Sequence, residues 1–340
     1  MSLDRRTLLR LGAASVAGAA VVGGGAYTWI RRDTALSSAP ITGPWAELGH
    51  GIHWILPNLH DAPMVVPDRP HDVEETRDAS RRAGVHRTRR FLVTSSARRL
   101  RGDHFPAAPP AGTLRIAAVG DSTTFGWGLS EEETWPAQLT AELRRRGHAV
   151  EVLNAGVPAQ RIEGMAAWLR VMAPALGVGA VLFTRRPPPD GPMAFDAYAG
   201  AVRQVRQAFG RVQVLLPPVS QFDPHGCSVW QGEWDGLRNR LPDTNVLDLT
   251  PAMRAAQGQR GFRVEVANGT ATVIRGETGE KILSARASAH GLPAEVYDLL
   301  EADASVRETL FFDDGHPDAE GIAALVPIIA DRVVEAGWFG

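Results

Sequence analysis

Leu114-Arg115-Ile116-Ala117-Ala118-Val119-Gly120-Asp121-Ser122-Thr123-Thr124-Phe125-Gly126-Trp127-Gly128 is the stretch from which the rest of the chain can be read. Its first half is a short apolar run that ends in glycine, the pattern of a strand buried on both faces and feeding a loop. Its second half is polar. Asp and Ser directly after a strand commonly cap a following helix. The same place also suits a nucleophile, because a strand-to-helix loop exposes a hydroxyl and aims backbone amides at charge developing on a substrate oxygen. Gly120-Asp121-Ser122 alone fits both readings. Gly120 is expected to permit the tight turn, and Gly126-Trp127-Gly128 to form a pocket rim or a packing element.

Downstream, short apolar runs alternate with helical spacing. Trp135–Arg146 carries Leu139 and Leu143 one turn apart and closes on Gly147. Strand patterns follow at 150–154, 180–183, 212–216 and 245–249, with helices expected over 162–175 and 198–209. Strands of this kind separated by helices predict an α/β domain with a mainly parallel five-stranded sheet covered on both faces. Functional groups then belong on loops at the strands' carboxyl ends. After Thr250 the alternation lapses. Residues 262–274 read as a hairpin turning at Asn268-Gly269, within an insertion around 252–300. A last helix over 319–336 presents Ile322, Leu325, Ile328, Ile329 and Val333 to the core.

Upstream, 33–112 is rich in proline, histidine and arginine and reads as a linker plus N-terminal extension, which leaves 113–340 as the main domain. The arginine cluster Arg81, Arg82, Arg87, Arg89, Arg90, Arg98, Arg99 and Arg101 reads as a solvated face leaning on that domain. Residues 1–32 are set apart. Arg5-Arg6 and two leucines precede an uncharged run from Leu11 to Ile30, which resembles a twin-arginine export signal. Residues 8–30 are also long enough to serve as a membrane anchor. Either reading places the domain outside the cytoplasm, periplasmic or secreted, or held at the inner membrane.

The 340 residues carry 36 basic and 38 acidic side chains, a formal charge of −2, so no cationic field favours nucleic acid. The single cysteine, Cys227, forms no intramolecular disulfide and no multi-cysteine zinc site. His104, His148, His225 and His290 lack metal-ligand spacing, and Gly23-Gly24-Gly25 lies in the export segment without the strand and helix of a phosphate loop. No cofactor or metal is expected. The sequence assigns no oligomeric state.

A second motif decides between the two readings of Ser122. Phe312-Asp313-Asp314-Gly315-His316-Pro317-Asp318 immediately precedes the final helix. Serine needs a base within hydrogen-bond reach, and an imidazole held by a carboxylate supplies one. His316 is the candidate general base, Asp313 the candidate orienter and Asp314 its rival. With Gly120-Asp121-Ser122 at the start, Asn154-Ala155-Gly156 after the second strand and Asp313-x-x-His316 near the end, the chain resembles the SGNH (GDSL-like) hydrolase family over roughly Leu114–Phe339. The stretch from Phe91 to Gly102 also resembles the lead-in of some extracytoplasmic SGNH proteins that act on polysaccharides.

The resemblance implies a flavodoxin-like three-layer α/β/α sandwich and metal-free cleavage or transfer of ester-linked acyl groups. It implies Ser122 as nucleophile, and the amides of Ser122 and Gly156 as oxyanion donors. The substrate is expected to be an acylated small molecule, lipid or carbohydrate. One departure stands out. The family places an asparagine donor after the third strand, where this chain has Thr184-Arg185-Arg186-Pro187. Arg185 and Arg186 are the candidate replacements. Three outcomes follow: an esterase, an O-acyltransferase to a polysaccharide, or an SGNH domain that binds or assembles without catalysis.

Overall fold

A computed structural model describes residues 58–66, 89–102, 105–158, 160–185, 192–218, 236–258, 262–268, 270–286, 310–311 and 316–339. The export segment, Asp313, Asp314, Arg186 and Cys227 lie outside them. Among the described residues no helix is long and apolar enough to cross a membrane.

Strands β1 (Ala62–Val66) and β2 (Arg89–Val93) pair antiparallel, with Ala62 opposite Val93. The main sheet follows as β3 (Leu114–Gly120), β4 (Val150–Gly156), β5 (Ala180–Thr184), β6 (Val212–Leu216) and β7 (Asn245–Asp248). Its order is β4-β3-β5-β6-β7, and every neighbouring pair is parallel. Counted within the sheet, that is second, first, third, fourth, fifth, the doubly wound order of flavodoxin-like folds. The expected three-layer α/β/α sandwich is present.

Pleating divides the apolar residues of each strand between two cores. Ala117 and Val119 of β3, Leu153 of β4 and Phe183 of β5 face α3 (Ile162–Ala175) and α4 (Pro192–Phe209), which contribute Trp168, Leu169 and Tyr198. Ile116 and Ala118 of β3, Val152 of β4 and Leu182 of β5 face the other way. They meet α2 (Trp135–Arg145), α5 (Thr250–Gln257) and α6 (Ala319–Glu335), which contribute Leu139, Met253, Ile322 and Ile329. Each fully buried aliphatic or aromatic side chain stabilises the fold by about 1.5–3 kcal/mol relative to exposure. The double covering explains why these strands read as unbroken apolar runs.

Two expectations need correction, and one is extended. The alternation does not lapse at Thr250, since α5 starts there and buries Met253 in the second core. The expected hairpin is present, β8 (Phe262–Ala267) pairing antiparallel with β9 (Thr270–Arg275), and β10 (Lys281–Arg286) extends it to a separate three-stranded antiparallel sheet. Asn268 does take the left-handed conformation (φ 51°) that a two-residue turn requires. Third, the extension is not merely leaned against the domain. Arg101 is fully buried, and its backbone bridges Ser95 on one side and Asn154 of β4 on the other.

Arg115 ties the opposite end of the sheet. It sits opposite Glu151 in the β3–β4 register, its Nη2 lies 2.7 Å from Glu151 Oε2, and its Nη1 donates to the carbonyls of Pro106, Ala107 and Leu176.

Candidate active site

The carboxyl ends of three strands meet at one level, because Gly120 of β3 is in register with both Gly156 of β4 and Thr184 of β5. Onto this ledge sits α1 (Ser122–Phe125), a single turn. Its seat requires glycines. A Cβ on Gly120 would lie 2.0 Å from Thr124 Oγ1 and 2.4 Å from the Thr184 carbonyl, and one on Gly156 would lie 2.1 Å from the Phe125 nitrogen. Gly120 is therefore needed for close approach rather than for unusual backbone angles.

The ends of α1 are both fixed. Asp121 is the N-cap, its Oδ1 accepting from the Thr123 N–H at 3.1 Å. Gly126 is the C-cap in the left-handed region (φ 79°), where glycine is favoured, and its N–H donates to the Ser122 carbonyl at 3.0 Å. Capping thus falls to Asp121, and the Ser122 hydroxyl is turned elsewhere. Its Oγ lies 2.8 Å from His316 Nε2, across 194 residues of sequence. Among the described residues no acceptor takes the Ser122 N–H.

His316 is held by its neighbours. Phe311 bridges Pro317, the Asp318 N–H donates to the Leu310 carbonyl at 3.0 Å, and Asp318 caps α6 through the Gly321 N–H at 2.9 Å. The buried face of α6 fixes that cap, and so the histidine, against the sheet.

Gly156, an expected oxyanion donor, directs its N–H to Asn154 Oδ1 at 3.1 Å. Its place is explained by the close approach of α1, and its amide is already used. Asn154 is buried, and its Nδ2 reaches the Phe125 carbonyl at 3.4 Å, so this side chain joins β4 to the end of α1. Arg185 directly follows Thr184 and leaves the sheet beside Asp121. Its carbonyl accepts from the Tyr198 hydroxyl at 3.3 Å. Burial pushes the Tyr198 phenol well above its ordinary range; the Arg185 charge opposes that shift and the Asp121 charge adds to it. A cation and a carboxylate therefore flank this ledge.

Trp127 packs rather than standing free: it meets Phe91 edge-on with ring centroids 5.9 Å apart, beside the buried Val93, Phe125 and Val157. Thr123 and Pro317, the sequence neighbours of Ser122 and His316, line a narrow apolar crevice of about 10 Å³ together with Thr184, Pro217 and Ile322. The residue missed from sequence is Arg101. Its guanidinium donates to the carbonyls of Phe125, Gly126 and Leu129, around the end of α1. Among the described residues no group of His, Cys, Asp and Glu is arranged to hold a metal ion.

Comparison with solved structures finds an SGNH-hydrolase family esterase, AlinE4, at 21% identity over 40% of this chain and 76% of that one, with a TM-score of 0.34. A two-domain esterase active on acetylated mannans matches at 16% identity, over 66% of this chain and 51% of that one, with a TM-score of 0.41. The lipase/acylhydrolase from Enterococcus faecalis matches at 15% identity, over 64% and 96%, with a TM-score of 0.38. No curated protein matches the chain. The model of the GDSL-like lipase/acylhydrolase family matches residues 118–324, more than half of the sequence, from within β3 to within α6. By that match the chain belongs to the GDSL-like lipase/acylhydrolase family.

Proposed function

We propose that this protein is an extracytoplasmic serine esterase that removes an ester-linked acyl group through Ser122 and His316. The observation that carries the reading is the 2.8 Å contact between Ser122 Oγ and His316 Nε2 on a ledge at the carboxyl ends of the strands. At that distance the imidazole takes the hydroxyl proton as Oγ attacks the acyl carbonyl. The carbonyl oxygen becomes an oxyanion and receives the Ser122 N–H. His316 then returns the proton to the leaving alkoxide, and an acyl-enzyme remains until water, activated in turn by His316, releases the acid. Asp313, or Asp314 in its place, holds the imidazole tautomer and favours its protonated form.

Arg185 stands where the family's asparagine donor is expected, and we assign it the same task. A guanidinium offers fixed N–H donors and a full charge, which suits a developing oxyanion. The alcohol part is that of a carbohydrate, lipid or small ester. A sugar hydroxyl in place of water would make the same acyl-enzyme a transferase intermediate.

Turnover of 4-nitrophenyl acetate by the full chain tests the reading. The expected result is hydrolysis that disappears in S122A and H316A while both variants stay folded. Hydrolysis that persists in either variant would place the chemistry elsewhere, and none in the wild type would favour a binding role. The location is tested separately. Arg5→Lys with Arg6→Lys is expected to stop export, and unchanged export would overturn the twin-arginine assignment.

A further inference from the structure

A one-turn helix is not stable by itself, because nucleation costs more than four residues return. Its last carbonyls also lack partners within the helix. Ser122 depends on such a helix, so something outside α1 must hold its carboxyl end. We propose that Arg101, carried by the N-terminal extension, is a positioning residue for Ser122: its buried guanidinium clamps the end of α1 and so fixes the hydroxyl opposite His316. This inference rests on the serine-esterase reading and adds to it the component that keeps the nucleophile in place.

The contacts form a continuous path. Arg101 Nη1 donates to the Phe125 carbonyl and, at 2.6 Å, to the Gly126 carbonyl, while Nη2 donates to the carbonyls of Leu129 and, at 3.3 Å, Leu92. The N–H groups of Gly126 and Trp127 both donate to the Ser122 carbonyl at 3.0 Å. The carbonyls held by the arginine and the carbonyl of the nucleophile therefore belong to one hydrogen-bonded turn. The positive charge lies at the carboxyl end of that turn, where a cation is favoured.

Arg101 is itself fixed on several sides. Its N–H donates to the Asn154 carbonyl of β4 at 3.2 Å, its Nε lies 3.3 Å from Glu131 Oε2, and its guanidinium carbon stands 4.6 Å from the Phe125 ring centroid and 5.8 Å from that of Phe91. The side chain has no exposed surface. Lysine cannot reproduce this arrangement, because one ammonium cannot address four carbonyls and a carboxylate in a planar fork.

The test compares R101K and R101Q with the wild type in three measurements on purified full-length protein: the rate of covalent labelling by diisopropyl fluorophosphate, kcat and KM for 4-nitrophenyl acetate, and melting temperature. A displacement of about 1 Å can cost on the order of a hundredfold in rate. Labelling rate and kcat are therefore expected to fall by about that factor in the folded variants, with KM nearly unchanged. Equal labelling rates in wild type and folded R101K would overturn the positioning role while leaving the esterase reading intact. A wild type that takes no label would overturn both, since there would be no nucleophile to position. Should neither variant fold, hydrogen exchange on the wild type decides. The Gly126 and Trp127 amides are expected to be protected to the level of the central sheet, and exchange as fast as in exposed loops would overturn the clamp.

Discussion

Among the described residues two arginines are completely buried, and they sit at opposite ends of β3. Arg115, at the amino end, faces a carboxylate on the adjacent strand at 2.7 Å, and that carboxylate is itself only 15% exposed. Arg101, beside the carboxyl ends, has a carboxylate at 3.3 Å on a side chain 35% exposed and relies mainly on carbonyl oxygens. Burial pushes the Arg101 guanidinium down to about 10, and Glu131, Glu133 and Glu132 only partly oppose it. It remains a cation at neutral pH. A buried charge is tolerable when paired and hydrogen-bonded, and costly otherwise. The base of the sheet thus holds a matched pair that fastens the extension to the fold. The rim holds a less compensated charge where the chemistry is placed, the kind of site at which perturbed groups collect. Equal burial serves different ends.

The largest expected effect removes the chemistry and sets the scale for the comparison: S122A should lower ester turnover by at least about ten-thousandfold with an unchanged melting temperature, measured by progress curves and calorimetry. Next comes the contrast itself. R115M breaks a buried pair and should cost about 3–5 kcal/mol of stability in urea unfolding, while the folded fraction keeps its labelling rate. R101K should do the reverse, losing rate well beyond its loss of stability. If the two variants behaved alike, the distinction between the ends of the sheet would collapse. R185Q sharpens the rim further. Removing the proposed charged oxyanion donor should lower kcat by roughly a hundredfold with little change in KM for the acetate ester.

Much of the fold was legible because its strands are buried on both faces. Runs such as Ile116-Ala117-Ala118-Val119 leave little else for a chain to do, and the glycines that follow mark where the strands stop. The Ser122 and His316 motifs stood out for the same reason, each lying at an abrupt change from apolar strand or loop to helix. What was not legible depends on contacts between distant segments. β10 has no clean alternation in Lys281–Arg286, so only its pairing with β9 defines it. α5 begins at Thr250-Pro251 and buries just Met253 and Gln257, too little for a periodic signal. Arg101 is one of ten arginines in a polar extension, and nothing in the local sequence marks it for burial. Gly156 was expected as an oxyanion donor; it is needed there for a different reason. The close approach of Phe125 explains this, while its amide is committed to Asn154.

The central claim is that Ser122 is a nucleophile activated by His316. Incubation of the full chain with a fluorophosphonate, followed by peptide mass spectrometry, tests it most directly. The account predicts a single covalent adduct on Ser122, absent from S122A and formed far more slowly in H316A. No adduct on well-folded protein, or an adduct on another residue, would contradict it.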